Sequence, residues 1–504
     1  MISLWFGFVA VTLAFLFMQL SRKDKRELPG PVAFPILGNI VQMMSAFQTY
    51  TYPFTHFAEK YGEIYRLKLP FDEMVVLASY DAVNTVLSKE ESFGRDLSGI
   101  MIDRNFGQNI GMLFGNGEMW DKSRKWIVRN LRDFGFGKSH LLEASVNNEI
   151  DNFLDNLEER EKDPCKIILP VSQTFLVPVS RVMYKMMAGY DTKIENETLL
   201  EMNQQTSLME KASGITGTVG AALAMYIPQI RFIFPEWTGR NVQLSCRETM
   251  QKESRKLLAV AKDKMSKSGV QADSLTEKFV LQMKEESKLK INSGIFTDLS
   301  HDILFADLFQ ASSNTTASYL EAFFLFMILY PNVQEKLFRE LQDTIPDGHE
   351  ITYHDKNRMV YAQAVMLEVH RVAKITQHLL PRRAITDFDY KNFRIKKNSI
   401  IMADMNSLFN NPGIFQDPLS FNPERFIDAN GSLVNEKLVI PFSVGKRSCP
   451  GELFADVTAF LMAMHFINKY KLSTVPGEPK PKEAMHIGIT SCPYEFSMLM
   501  TKRQ

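Results

Sequence analysis

The sequence predicts a mainly α-helical protein with a small β region. Three observations carry that expectation. Apolar residues recur at helical spacing in eight stretches, at 82–89, 118–132, 141–156, 247–267, 299–329, 333–342, 361–373 and 451–470. Two-residue alternation is confined to 64–78. The 504 residues contain no Pro/Gly/Ser-rich linker, repeat or low-complexity tract. Length alone suggests about three domains, yet the only break in composition falls near residue 27, so one large unit is expected behind a short leader.

Composition narrows the functional classes. With 58 basic and 58 acidic side chains, charge gives no reason to expect nucleic acid as a partner. The four cysteines, Cys165, Cys246, Cys449 and Cys492, show neither paired spacing nor a zinc pattern. That usage fits a reducing compartment. The acceptor triplets at Asn196, Asn314 and Asn430 are therefore read as incidental.

The leader comes first in the chain. Ile2 to Leu20 is uncharged and mostly apolar, about long enough to span a bilayer as a helix. Arg22, Lys23, Lys25 and Arg26 follow, which keeps that flank cytosolic by the positive-inside tendency. Residues 1–21 are thus expected to be a signal anchor and 22–40 a basic, proline-rich hinge. Leu28-Pro29-Gly30-Pro31 and Pro35-Ile36-Leu37-Gly38 make the hinge stiff and extended. Residues 41–504 remain for the main domain.

In that body, Ile64, Arg66 and Lys68 alternate with Tyr65, Leu67 and Leu69. A turn at Pro70 to Glu73 and the run Met74-Val75-Val76-Leu77 complete a hairpin. Trp120 and Arg124 fall one helical turn apart on one face, an N–H donor and a permanent cation suited to a carboxylate. Phe93 to Phe114 and Gly214 to Trp237 are apolar variable regions. On the helix ending before Pro331, Leu304, Leu308, Ala311, Ser312 and Thr315 share a face. Glu368 and Arg371, at i and i+3, face one side of their helix.

The chain is organised around Pro441-Phe442-Ser443-Val444-Gly445-Lys446-Arg447-Ser448-Cys449-Pro450-Gly451-Glu452. Cys449 stands at the mouth of a helix, with Pro450 suited to the first helical position. Unpaired backbone N–H groups and the nearby Arg447 favour thiolate, the form that binds metal. Gly445 and Gly451 leave room for a flat cofactor beside the backbone.

Phe442-x-x-Gly445-x-Arg447-x-Cys449-x-Gly451 resembles the haem-thiolate monooxygenases of the cytochrome P450 superfamily, and the resemblance runs from the anchor to about residue 500. It implies the cytochrome P450 fold, haem b and Cys449 as the axial iron ligand. It assigns Trp120, Arg124, Arg382 and Arg447 to the haem propionates, Phe442 to the haem pocket, and a buried structural lock to Glu368, Arg371 and Arg425. Ala311-Ser312-Ser313-Asn314-Thr315-Thr316 matches the oxygen-helix motif. Thr315 stands for the threonine that helps deliver protons, but Asn314 replaces the usual acid and Ser312 the usual glycine.

By the same resemblance the protein is a microsomal enzyme of the animal type. It takes electrons from NADPH through a reductase, with cytochrome b5 as a further partner. The run Leu131-Arg132-Asp133-Phe134-Gly135-Phe136-Gly137 is most like insect members. The expected substrate is lipophilic: an insect-type hormone, a steroid, a sesquiterpenoid or a xenobiotic. The expected site is the endoplasmic reticulum membrane, with the catalytic domain facing the cytosol. Asn314 motivates an alternative, a haem-thiolate isomerase or dehydratase independent of NADPH. A third reading is a non-catalytic haem-binding membrane protein.

Overall fold

The computed structural model describes residues 26–503 except 51, 96–98, 100, 135–139, 161–162, 164, 213–218 and 347. The anchor at 1–21 lies outside them, as do Gly135, Phe136 and Gly137 of the insect-like run. No helix among the described residues is long and apolar enough to cross a membrane. The chain forms two compact units. Of the described residues, those within 1–96, 378–418 and 442–448 form one, and those within 97–377, 419–441 and 449–504 form the other.

The first unit holds the predicted hairpin, Ile64–Lys68 against Glu73–Leu77, with Leu69 N–H bonded to Asp72 O at 2.8 Å in the turn. Tyr65 and Leu67 are fully buried, as the alternation predicts, and Arg66 and Lys68 are not. Ile64 departs from the pattern: it starts the strand and is buried too. Val75, Val76 and Leu77 are all buried because their strand is internal to the sheet. Ile400–Ala403 pairs with it in parallel, and Arg382–Arg383 closes the sheet antiparallel. Helices Ile40–Thr49 and Pro53–Tyr61 add Ala46, Phe54 and Phe57 to a core with Tyr65, Leu67, Met74 and Met402. The proline-rich hinge is fastened to this unit, since Arg66 N–H donates to Pro29 O at 2.8 Å.

The second unit is built around one helix, Asp298–Leu329. From Ser300 to Ile328 nearly all of its residues are buried, polar ones included, the pattern of a helix surrounded by protein. Thr297 caps it, accepting from Ser300 N–H at 3.1 Å, and Pro331 forces the next helix, Pro331–Thr344, to start afresh. Leu176–Ala188, Arg240–Lys264, Val360–Ala373 and Glu452–Lys469 pack on it. Phe324 stacks on Phe175 with ring centroids 4.9 Å apart, and Phe326 on Phe421 at 4.4 Å. The strand Ser497–Lys502 pairs antiparallel with both Lys166–Pro170 and Tyr470–Thr474.

The eight predicted helices are present with shifted ends, the largest shift being Arg240 for an expected start at 247. Helices Leu176–Ala188, Asn196–Ala212 and Leu275–Leu289 were not expected. The first is full of β-branched valine, which lowers helix propensity, and its Pro178 is tolerated only in the opening turn. In the second, Thr206 interrupts the buried stripe Leu199, Met202, Met209 and satisfies its own hydroxyl on Met202 O at 2.9 Å.

Candidate active site

In the second unit, helix Glu452–Lys469 begins with Gly451 as its N-cap. Pro450 therefore precedes the helix instead of opening it. Cys449 keeps accessible surface yet lies deep among protein atoms, and that burial raises its thiol pKa. Glu452 acts in the same direction, while the backbone N–H groups of Gly451 and Glu452 and the Arg124 guanidinium oppose it. The cation acting on the sulfur is thus Arg124, where the sequence pointed to Arg447. Arg124 in turn is shifted down by burial and back up by Cys449. It is carried by helix Gly117–Asp133, one turn from Trp120, whose ring centroid lies 6.0 Å from the guanidinium. Trp120 is buried.

In the first unit, Phe442 is half-buried, and Arg382 and Arg447 are buried. Arg447 Nε donates to Phe93 O at 2.9 Å. Arg382 donates to Leu87 O, to Ser443 Oγ at 3.1 Å and to Val444 O at 2.7 Å. A third arginine, Arg95, joins them. It donates to Leu380 O and Pro381 O, and its pKa is pushed well down by burial and then by the charges of Arg447 and Arg382. Sequence reasoning passed over Arg95, although it directly follows the Phe93-Gly94 pair that closes on Arg383. The charges of Arg382 and Arg447 thus reach Arg95, and so concentrated a positive charge attracts anionic groups.

Gly445 has φ +73°, and a Cβ there would come within 2.6 Å of Leu87 O. Its role is therefore to let the chain pass a neighbouring backbone, as well as the room for a cofactor that the sequence suggested. Gly445→Ala is expected to lower stability by at least about 1–2 kcal/mol from the left-handed backbone alone. Chemical denaturation of the variant beside the parent measures it.

The long helix of the second unit changes character at one place. Between Ser300 and Ile328 every residue is buried except Ala311, which is exposed, and Thr315, half-buried. These two are spaced i, i+4 and share a face, so the helix opens on one side at this turn. Thr315 Oγ1 donates to Ala311 O at 2.7 Å, and Ser312 and Ser313 both donate to Phe309 O, at 3.1 and 2.8 Å. The Ser312 proton is thereby committed to its own helix. Asn314 is buried, and its Oδ1 has no hydrogen-bond partner among the described residues.

One turn earlier, Asp307 was missed by sequence reasoning, although a carboxylate amid apolar neighbours is a signal. Its Oδ2 accepts from Met112 N–H at 2.7 Å and Leu113 N–H at 3.2 Å, and Arg104 NH1 lies 2.8 Å from Oδ1. The segment Arg104–Leu113 is thereby tied to the helix. Gly111, at φ +94°, is required because a Cβ would strike Asp307 Oδ2 at 2.6 Å.

The buried lock has the expected form. Glu368 accepts two hydrogen bonds from Arg371, at 2.7 and 2.8 Å, one from Arg425 Nε at 3.1 Å and one from Asn422 N–H at 2.8 Å. Glu368 and Arg371 are wholly buried. His370, between them in sequence, packs on Tyr319 with centroids 4.2 Å apart. Burial lowers its pKa to about 4, so it is neutral near pH 7.

The cytochrome P450 family model matches residues 28–500. Among curated proteins, the chain is 28% identical to cytochrome P450 2D20 of Mesocricetus auratus over 506 residues, covering 98% of each. It is 25% identical to the farnesoate epoxidase of Bombyx mori, covering 97% of each. It is 26% identical to the probable cytochrome P450 303a1 of Drosophila melanogaster, covering 99% of this chain and 98% of that one. With the match spanning almost the whole chain, and both mammalian and insect members among its relatives, this protein belongs to the cytochrome P450 family and is a haem-thiolate monooxygenase.

Proposed function

We propose that this enzyme is a microsomal monooxygenase that inserts one atom of dioxygen into a lipophilic small molecule. NADPH supplies the electrons through a partner reductase, with cytochrome b5 as an auxiliary donor. Cys449 is the iron ligand; Trp120, Arg124, Arg382, Arg447 and the newly noted Arg95 hold the haem carboxylates; Phe442 lines the pocket. The observation that carries the reading is the setting of the Cys449 sulfur just before a helix start, where two backbone N–H groups and Arg124 oppose the burial that raises its thiol pKa. Bound haem supplies dioxygen activation and O–O cleavage, which a thiolate ligand promotes. The donor set fits a dicarboxylate macrocycle. Arg95, Arg382 and Arg447 carry positive charge whose mutual repulsion two propionates would relieve. Thr315, at the open turn of the long helix, orients water there through the lone pairs left free by its bond to Ala311 O.

Each unit has its own exposed apolar patch. In the first, Val32, Phe34, Ile36, Leu37 and Val41 are exposed; in the second, Ile227, Phe232, Ile233, Phe234 and Trp237. Isolated exposed apolar residues are ordinary, but runs of this density support contact with a membrane surface. They agree with an anchor at 1–21, a hinge at 22–40, a catalytic body at 41–504 and a substrate arriving from the bilayer of the endoplasmic reticulum on its cytosolic side. The Bombyx mori relative, a farnesoate epoxidase, acts on a lipophilic carboxylate, and the same broad class is proposed here.

Arg95→Gln is expected to weaken haem retention about tenfold, the worth of one charge-assisted hydrogen bond. Haem-to-protein ratio after dilution and gel filtration reads it. The function itself is tested by incubating membranes containing the protein and its reductase with a lipophilic extract, with and without NADPH. Product only with NADPH is expected. Product without it would overturn the proposal in favour of the isomerase suggested by Asn314.

A further inference from the structure

The stretch from Val219 to Trp237 presents Ile227, Phe232, Ile233, Phe234 and Trp237 to the outside. Inside, it has a small apolar cluster of its own, in which Ala221 and Ala224 pack with Ile230, apart from the main core of the second unit. It is fastened to helix Met101–Arg104 by charge. Arg231 Nε donates to Asp103 Oδ2 at 2.9 Å, and these side chains are only 10% and 11% exposed. Arg240 reaches the same oxygen from the start of the next helix, its Nε donating at 3.1 Å. Arg247, two turns further on, donates to Asp103 O at 3.0 Å. Asp103 is itself held still, because the adjacent Arg104 is buried against Asp307 and Gln310 of the long helix. One carboxylate oxygen thus joins two arginines that lie on opposite sides of Gly239, a residue at φ +77°.

That sharing has an energetic consequence. A nearly buried carboxylate that loses its cation is left uncompensated, which is strongly unfavourable. Asp103 has two, so Arg231 can depart with its segment while Arg240 keeps the charge paired. Glycine at 239 gives the chain a place to pivot between them. Arg231 then needs another anion, and its surroundings say which kind. The Phe232 ring lies 4.3 Å from the Arg231 guanidinium and 4.7 Å from that of Arg240, and it is more than half exposed. A soluble phosphate would pair with the planar guanidinium but leave Phe232, Ile233 and Phe234 in water. A phospholipid surface accommodates both. Residues 219–247 also carry Arg231, Arg240 and Arg247 against a single acid, Glu236, which accepts from Asn241 at 3.4 Å. That balance favours a surface of net negative charge.

We propose that Asp103, Arg231 and Arg240 form a clasp that an anionic phospholipid surface releases. Arg231 exchanges Asp103 for a headgroup phosphate, the segment pivots at Gly239, and its aromatic side chains enter the interface. Asp103 stays with Arg240 and Arg247. The inference rests on the membrane contact proposed above and adds to it the headgroup charge that is sensed and the residue that senses it.

The test places the haem-loaded full-length protein on vesicles of phosphatidylcholine, alone or mixed with phosphatidylglycerol, with brominated acyl chains in both. Bromine quenches tryptophan that enters the bilayer, and Trp237→Phe isolates the signal of Trp237. Quenching of Trp237 should be greater on the mixed vesicles, the ratio of released to clasped protein rising about fivefold for the one arginine transferred. Two variants should then act in opposite directions. Arg231→Gln removes clasp and sensor together, so Trp237 should be quenched equally on both compositions, at the level of the parent on mixed vesicles. Arg240→Gln leaves Arg231 as the cation on that carboxylate oxygen, so release is disfavoured and mixed vesicles should quench Trp237 less than in the parent. Each variant loses one positive charge, so attraction by net charge alone predicts the same loss from both. Asp103→Asn keeps the shape without the charge and should be released on phosphatidylcholine alone.

Equal Trp237 quenching on the two compositions in the parent overturns the proposal without recourse to any variant. So do equal losses in Arg231→Gln and Arg240→Gln. Inorganic phosphate that raises the quenching on phosphatidylcholine overturns it as well, by giving Arg231 to a soluble anion. No quenching of Trp237 on either composition would instead strike the membrane contact on which the clasp rests.

Discussion

Cys449→Ala is expected to abolish NADPH-driven product formation while leaving the polypeptide folded. In the chain alone the Cys449 thiol gains nothing from its deep setting, since burial works against its charged form more than the Gly451 and Glu452 N–H groups and Arg124 favour it. The thiol therefore stays neutral in the chain alone, and removing the sulfur leaves no buried charge behind. Its value lies in metal binding. Outer partners of a metal ligand are commonly worth about 10–100-fold, so loss of the ligand itself should exceed about 100-fold in activity. Far-ultraviolet circular dichroism and thermal melting check the fold, and product assays check the activity. A variant retaining a tenth or more of parental turnover would remove Cys449 from the site.

The largest effect on stability is expected from Glu368→Ala. Glu368 accepts from Arg371, Arg425 and Asn422, and no water reaches the Glu368–Arg371 pair. Truncation leaves a wholly buried guanidinium facing a void, and breaking such a pair from one side costs about 3–5 kcal/mol. Exchange for glutamine keeps the shape and one acceptor oxygen but not the charge, so its loss should be smaller. Urea unfolding of the two variants gives the comparison. Equal losses would mean that charge contributes little to the lock.

Much of this was legible in the sequence because certain spacings leave few physical choices. Glu368 and Arg371 at i, i+3 meet on a helix wherever that helix packs, and Tyr65 and Leu67 must share a face of a strand. The long helix announced itself by its length and by apolar residues recurring along it at helical spacing. The helix at 176–188 did not, because its valines and Pro178 argue locally against the conformation that tertiary burial imposes. Arg95 and Asp307 were illegible for another reason. Each acts on a residue distant in sequence, through contacts that only the assembled chain creates, and neither carries a local pattern. The structure also changed the meaning of two positions that were seen. Gly445 is needed for a backbone that passes Leu87, and Arg124 takes the electrostatic part first given to Arg447.

The claim on which everything else depends is that iron is held here by the Cys449 thiolate. The most direct measurement is the absorption difference spectrum of the reduced protein with and without carbon monoxide. A Soret band at the strongly red-shifted position given by a thiolate opposite carbon monoxide, and absent from Cys449→Ala, is the predicted result. A band at the position given by an imidazole ligand, or the same spectrum from the alanine variant, would contradict it.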